Sequence, residues 1–268
     1  FPLDKDENIT TVLPLPKDTN IWEELNIVFA TSKGSVRRNA LSDFIKIQSS
    51  GKIAMKLSVD DRLVGVHTCS EKTDDIFLAT REGKCIRFAA TDIRKFSGRN
   101  SVGVRGIRIK KDDEVISMYI LKHAKFTINE RDDYLRISNA IRRKEIKRNL
   151  PFDKLKGNTR LDENKYKEME NTEEFILSVT ENGFGKISSA YEYKITRRGG
   201  QGIANMALKK KIRKVVASFP VEEKERPATD TAVYPSPQAR RDQIEQCSPN
   251  YQTADCQPHR TPRWRRSY

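Results

Sequence analysis

The side chains of this sequence best placed to do chemistry are cations that return at corresponding positions. Lys33, Arg37 and Arg38 follow a glycine turn, Lys84 and Arg87 stand at the same place in the next copy of that turn, and Lys186 stands there in a third. Arg94, Arg99, Arg105 and Arg108 populate the connection after the second turn, and Arg197 and Arg198 the corresponding later connection. There Gly199, Gly200 and Gly202 would let backbone N–H groups approach an anion. Guanidinium and ammonium groups in such an array suit phosphate oxygens, where each contact releases counterions and no base edge need be read. Any one of these residues reads equally well as a surface charge paired with a nearby Asp or Glu. As a repeated set they imply a polyanionic partner.

The overall charge points the same way. The 268 residues hold 51 Lys plus Arg against 37 Asp plus Glu, a net charge of +14. Nucleic acid fits better than a membrane, because no apolar run approaches transmembrane length and no amphipathic anchor stands out. Enzymatic chemistry has no visible seat. There is no phosphate-cradling P-loop pattern and no nucleophile with a base beside it in the chain, and His67, His123 and His259 have no evident partner. Cys69, Cys85, Cys247 and Cys256 lack metal-ligand spacing and imply a reducing, cytosolic setting; His259 near Cys256 is incidental.

The elements that must position the cations are short strands in a repeat. Ile76, Leu78 and Thr80 alternate with Phe77 and Ala79, a turn follows at Arg81-Glu82-Gly83-Lys84, and Cys85 to Phe88 returns, which predicts a β-hairpin. Asn26 to Arg38 and Phe175 to Lys186 match it, with Thr31 and Gly34, then Thr180 and Gly183, standing where Thr80 and Gly83 stand. The second half of each unit repeats as well: Gly51 to Val66, Gly103 to Met118 and Gly202 onward correspond. Gly34 to Gly83 is 49 residues and Gly51 to Gly103 is 52. Units of about four strands at that period predict an all-β, propeller-like array in which each small sheet buries its faces against its neighbours.

The organisation predicted is pinwheel blades over 1–122 with the first one partial, a charged and partly helical insertion over 123–172, a further blade over 173–221, and a disordered tail over 222–268. Leu3, Asp6-Glu7 and Thr10 to Val12 match the end of a repeat, and Trp22 reads as an apolar plug in the connection before the first hairpin. In the insertion, Tyr134, Ile137, Ala140 and Ile141 have helical spacing flanked by Arg142, Arg143, Lys144, Lys147 and Arg148, and Pro151 ends the segment. One weakly amphipathic basic helix or a solvated charged loop would each fit. The tail holds more than half of the prolines and no alternating apolar run.

The stretches FATSKGSVRRNALSDF (Phe29 to Phe44), GKIAMKL (Gly51 to Leu57), GKCIRF (Gly83 to Phe88), GRNSVGVRGIR (Gly98 to Arg108) and EEFILSVTENGFGK (Glu173 to Lys186) together resemble the C-terminal domain of the bacterial DNA gyrase A protein. The resemblance covers Phe1 to Val221. It implies a β-pinwheel, here incomplete, whose strands are swapped between neighbouring blades and whose basic rim wraps double-stranded DNA without sequence preference. It further implies, as partners, the rest of the gyrase A protein and the gyrase ATPase component, in a cytoplasmic holoenzyme. That holoenzyme is a type II topoisomerase that uses ATP and Mg2+ to supercoil DNA, while this part is non-catalytic and needs no cofactor. The family's hallmark box lies in a first blade not matched here; Thr196 to Gly202 resembles it in composition but belongs to a later blade. The tail after Val221 matches nothing in the family and reads as out of frame. The C-terminal domain of the topoisomerase IV A protein shares the blade and is the nearer alternative; a protein-interaction propeller is the farther one.

Overall fold

The computed structural model describes residues 9–46, 51–143, 145–147, 150–208 and 214–221. The expectations for the first eight residues and for the tail from 222 lie outside the described residues. Residues 9 to 16 form no strand, and Trp22 packs on the first core with its indole Nε1 donating to Pro16 O at 3.0 Å.

Eleven strands form three antiparallel sheets among the described residues. Strands β1 (Leu25–Thr31), β2 (Ser35–Ala40) and β3 (Leu63–Ser70) come from the first repeat. The second gives β4 (Asp74–Thr80), β5 (Lys84–Ala89), β6 (Val104–Arg105) and β7 (Val115–Lys122). The third gives β8 (Phe175–Thr180), β9 (Gly185–Ser189), β10 (Ile203–Ala204) and β11 (Val215–Val221). The sheet orders are β3-β1-β2-β6, β10-β5-β4-β7 and β11-β8-β9.

The repeated threonine and glycine both close the hairpin. The side-chain oxygens of Thr31, Thr80 and Thr180 each accept, at 3.2 Å, from the backbone N–H four residues on, at Ser35, Lys84 and Phe184. Gly34, Gly83 and Gly183 have φ of 81°, 73° and 75°, where a side chain would crowd the backbone.

A repeat in the sequence is not a sheet in the structure. Each four-stranded sheet takes its outermost strand from the following repeat: Val104 pairs with Val36 and Arg105 with Ser35, while Ile203 pairs with Cys85 and Ala204 with Lys84. The stretch read as a third strand from Gly103 to Ile109 is thus a two-residue strand lent to the neighbour. The glycine ahead of each lent strand makes that approach possible. A Cβ added at Gly103 would lie 2.3 Å from Val36 O, and one at Gly202 2.4 Å from Cys85 O. Gly202→Ala is therefore expected to destabilise the chain far more than Gly51→Ala, since both carry positive φ but only Gly202 meets a carbonyl. Urea unfolding of the two variants checks this; equal losses would mean that strain in φ, and not the close approach, sets the cost.

Exchange also explains why the central strands are buried on both faces. In β4, Ile76 and Leu78 enter a core with Val28, Ala30 and Val36 of the first sheet, while Phe77 and Ala79 enter a second core with Ile176, Ala190 and Tyr193. The period-two alternation thus divides one strand between two cores, and does not separate a dry face from a wet one.

Between β7 and β8 the chain forms α1 (Ile128–Arg142), α2 (Phe152–Leu155) and α3 (Glu163–Thr172), three helices where the spacing suggested one. Helix α1 starts earlier than its apolar spacing indicated, because Thr127 and Glu130 form a capping box, with Thr127 N donating to Glu130 Oε2 at 2.7 Å. Tyr134, Ile137, Leu155, Leu161, Tyr166 and Met169 build a core of their own, closed by Tyr191 of the third repeat. Tyr191 OH donates to Met169 O, so the insertion is bonded to the array and is not a solvated loop.

Candidate nucleic-acid interface

Three of the cations read as rim residues belong to the interior. Arg37, Arg38 and Arg87 are only 1%, 3% and 2% exposed. Arg87 donates through Nε to Asp75 Oδ2 at 2.9 Å, through Nη1 to Ala190 O at 2.8 Å and through Nη2 to Lys122 O at 2.7 Å. The Asp75 carboxylate also meets His123 Nδ1 at 2.6 Å. Arg38, one repeat earlier at the equivalent place, donates through Nε to Ile93 O and pairs with Glu71. Both arginines thus hold a chain segment of the following repeat against their own hairpin. Arg37 donates to Asn39 Oδ1 at 2.8 Å and, through Nη1, to Ser101 O and Oγ, both at 2.6 Å. The structure therefore corrects these assignments. All three guanidinium nitrogens of Arg87 are engaged inside the protein, and Arg37 and Arg38 are buried against protein partners, so none of the three is placed on the surface where a phosphate would lie. Arg38 and Arg87 recur because the joint recurs.

The other cations lie outside. Lys33, Lys84, Arg94, Arg105, Arg108 and Arg197 are exposed, and Arg99, Lys186 and Arg198 are half-buried. Lys33 Nζ donates to Val59 O at 2.6 Å, and Lys186 Nζ lies 3.5 Å from Glu192 Oε2. Arg198 donates through Nε to Asp92 O and through Nη1 to Arg105 O, so it ties two connections together more than it offers itself to solvent.

Those connections form a continuous track. Lys56 N donates to Ser101 O, Gly199 N to Gly106 O and Arg108 N to Gly200 O, which lays the connection of each repeat beside the next. The sequence along the track is free of acid: no Asp or Glu occurs between Asp43 and Asp60, between Asp92 and Asp112, or between Glu192 and Glu222. Phe96 concentrates the charge, with the Arg37 guanidinium 4.6 Å and the Arg94 guanidinium 4.3 Å from its ring centroid. Burial, and after it the nearby Arg99 and Arg94, lower the Arg37 pKa. Lys46, Lys56, Lys95 and Lys194 are exposed on the same connections, and hairpin equivalence singled out none of them. The acid-free intervals are the signal that would have found them.

The lent strands, the shared cores and the unclosed row of sheets define the class: a β-propeller-like repeat protein in which neighbouring blades exchange strands. The model of the DNA gyrase C-terminal domain, beta-propeller, matches residues 25–70, 74–122 and 174–222. The chain belongs to this family. It is 50% identical over 222 residues to the DNA gyrase A protein of Rickettsia bellii, covering 83% of this chain and 24% of that protein. The chain thus spans about a quarter of the length of the curated relatives it matches. Among solved structures, the C-terminal domain of DNA topoisomerase IV aligns with a TM-score of 0.58 at 19% identity, covering 83% of this chain and 53% of that one. A DNA gyrase A C-terminal domain aligns with 0.50 at 19% identity, covering 82% and 60%. At that identity the structures bear on the fold alone. No helix of the described residues is long and apolar enough to cross a membrane.

Proposed function

We propose that this chain binds double-stranded DNA without sequence preference along the track of inter-blade connections, and that it bends the duplex around the row of blades. The observation that carries the reading is the acid-free run of exposed cations on connections that hydrogen bonds hold side by side. Arg94, Arg105, Arg108 and Arg197, with Lys56, Lys95 and Lys194, offer charge without base-reading geometry, which suits phosphate contact. Family membership supports the wider setting: a non-catalytic part of the gyrase A protein, acting in the cytoplasm with the remainder of that protein and the ATPase component in ATP-dependent supercoiling. ATP and Mg2+ then act elsewhere in the assembly, and this part needs neither. The high identity to the gyrase A protein favours gyrase over topoisomerase IV.

A mobility-shift series with random-sequence duplex separates this reading from an interaction propeller. Retardation of any duplex is expected at low salt, weakening steeply towards physiological salt. Absence of a shift at the lowest salt would refute the DNA reading.

A further inference from the structure

Among the exposed cations of the track, Arg94 is the one that rests on an aromatic ring. Its guanidinium carbon lies 4.3 Å from the centroid of Phe96, within the range in which a planar cation is held by a π face. Arg94 has no hydrogen bond or ion pair among the described residues, so the ring is what restrains it. The ring is itself held. Phe96 is 8% exposed, its N–H donates to Arg38 O at 2.8 Å, and its carbonyl accepts from Asn39 Nδ2 at 2.9 Å. The Arg37 guanidinium lies 4.6 Å from the same centroid and is fixed in turn by Asn39 Oδ1 and by Ser101. Three consecutive residues of β2 thus hold the ring of the next repeat, and the ring holds an arginine that faces water.

The joint between the second and third repeats is built differently. Lys95 bridges Arg38 as Ile195 bridges Arg87, and Thr196 N donates to Arg87 O as Phe96 N donates to Arg38 O. Thr196 therefore stands where Phe96 stands, and Lys194 where Arg94 stands. Lys194 is exposed and has no ring beneath it among the described residues. We infer that Phe96 is a positioning residue for DNA: it holds the Arg94 guanidinium in place before the duplex arrives, and so makes the first joint a tighter phosphate contact than the second. The inference rests on the DNA reading above and adds to it which side chain aims the contact. A guanidinium held by its face keeps its in-plane N–H donors for a phosphate, whereas Arg87 has spent its own on the protein. A long side chain that is free beforehand must be ordered on binding, which lowers affinity by about two- to tenfold. Phe96 removes that loss at one joint and Thr196 does not at the other.

The test titrates the full 268-residue chain with random-sequence duplex at one low salt concentration and then across a salt series. Phe96 belongs to none of the apolar cores, so Phe96→Leu should fold, and urea unfolding shows that it has. Phe96→Leu is expected to weaken binding by about two- to tenfold with the salt slope unchanged, because no charge is lost. Arg94→Ala should lower that slope by about 0.9. Phe96→Tyr, which keeps the ring, should bind like the unsubstituted chain. In an Arg94→Ala background Phe96→Leu should have no further effect, while in an Arg108→Ala background its effect should be complete. Equal losses in the two backgrounds would overturn the inference, since the ring would then act through the fold of the connection and not through Arg94. A second comparison leaves Phe96 untouched: Arg94→Lys keeps the charge but gives up the planar face, and should weaken binding more than Arg108→Lys does. Equal effects of those two lysines would overturn the inference as well. Failure of the unsubstituted chain to bind duplex at the lowest salt is a different result, and removes the DNA reading together with what rests on it.

Discussion

Replacing Arg87 with alanine is expected to lower the stability of the chain by about 3–5 kcal/mol, the usual cost of breaking a buried ion pair by removing one partner. The side chains of Arg87 and Asp75 are 1% and 0% exposed. Alanine would leave a buried carboxylate with His123 as the side-chain partner that remains, and would take the guanidinium from the carbonyls of Lys122 and Ala190, the latter keeping only the Tyr193 N–H. Because Ala190 belongs to the third repeat, the loss falls on the joint between sheets. Arg87→Lys should recover only part of it, as an ammonium cannot span three acceptors in a plane. Arg38→Ala should cost less, since its partner Glu71 is 45% exposed and can return to water. Urea unfolding gives the stabilities, and DNA titration well below the melting temperature gives the salt slope, which should stay unchanged for Arg87→Ala. A normal stability with a slope lowered by about one would instead make Arg87 a phosphate ligand.

That contrast shows what could and could not be read before the fold was known. The hairpins were legible because Thr31, Thr80 and Thr180 and their glycines answer a local constraint, a turn that needs positive φ and a partner for the N–H beyond it. The array was legible from the period. Strand exchange was not legible from the residues themselves, because two-residue strands such as Val104–Arg105 leave no periodic trace; only the family resemblance suggested it. The extra helices of the insertion escape a reading by apolar spacing, although Thr127 and Glu130 stand at capping-box spacing and mark where α1 begins. The cations were the hardest case. Recurrence at equivalent positions suggests a shared ligand, but a repeat protein repeats its joints as faithfully as its surface. Arg38 and Arg87 recur for the joint; Arg94, Arg105, Arg108 and Arg197 are the ones left facing water. A charge pattern records that a cation is needed and leaves open on which side of the surface its partner lies.

The combined variant Arg94→Ala, Arg105→Ala, Arg108→Ala and Arg197→Ala should show the largest change in DNA binding. If all four meet phosphates, the plot of log affinity against log salt should flatten by about three to four units, roughly 0.9 for each phosphate no longer neutralised. Stability should hardly move, because the four side chains are exposed and exposed charges contribute little. Arg198→Ala provides the contrast. Its donors go to Asp92 O and Arg105 O, so its loss should loosen the packing of two connections and weaken binding through misplaced neighbours, with a smaller change in slope. Arg136→Ala, on the exposed side of α1 and paired with Asp133, removes the same charge from the insertion and should leave the slope as it was. The outcome discriminates because a bend in DNA is sustained only by contacts along its whole path, at a cost on the order of several kcal/mol for a sharply bent short site. Losing four cations from one track should therefore abolish any bending seen by fluorescence transfer between duplex ends before it abolishes binding. If the quadruple variant kept both the slope and the bend, the track would be ordinary surface, and the DNA path would have to be sought on another face of the blades.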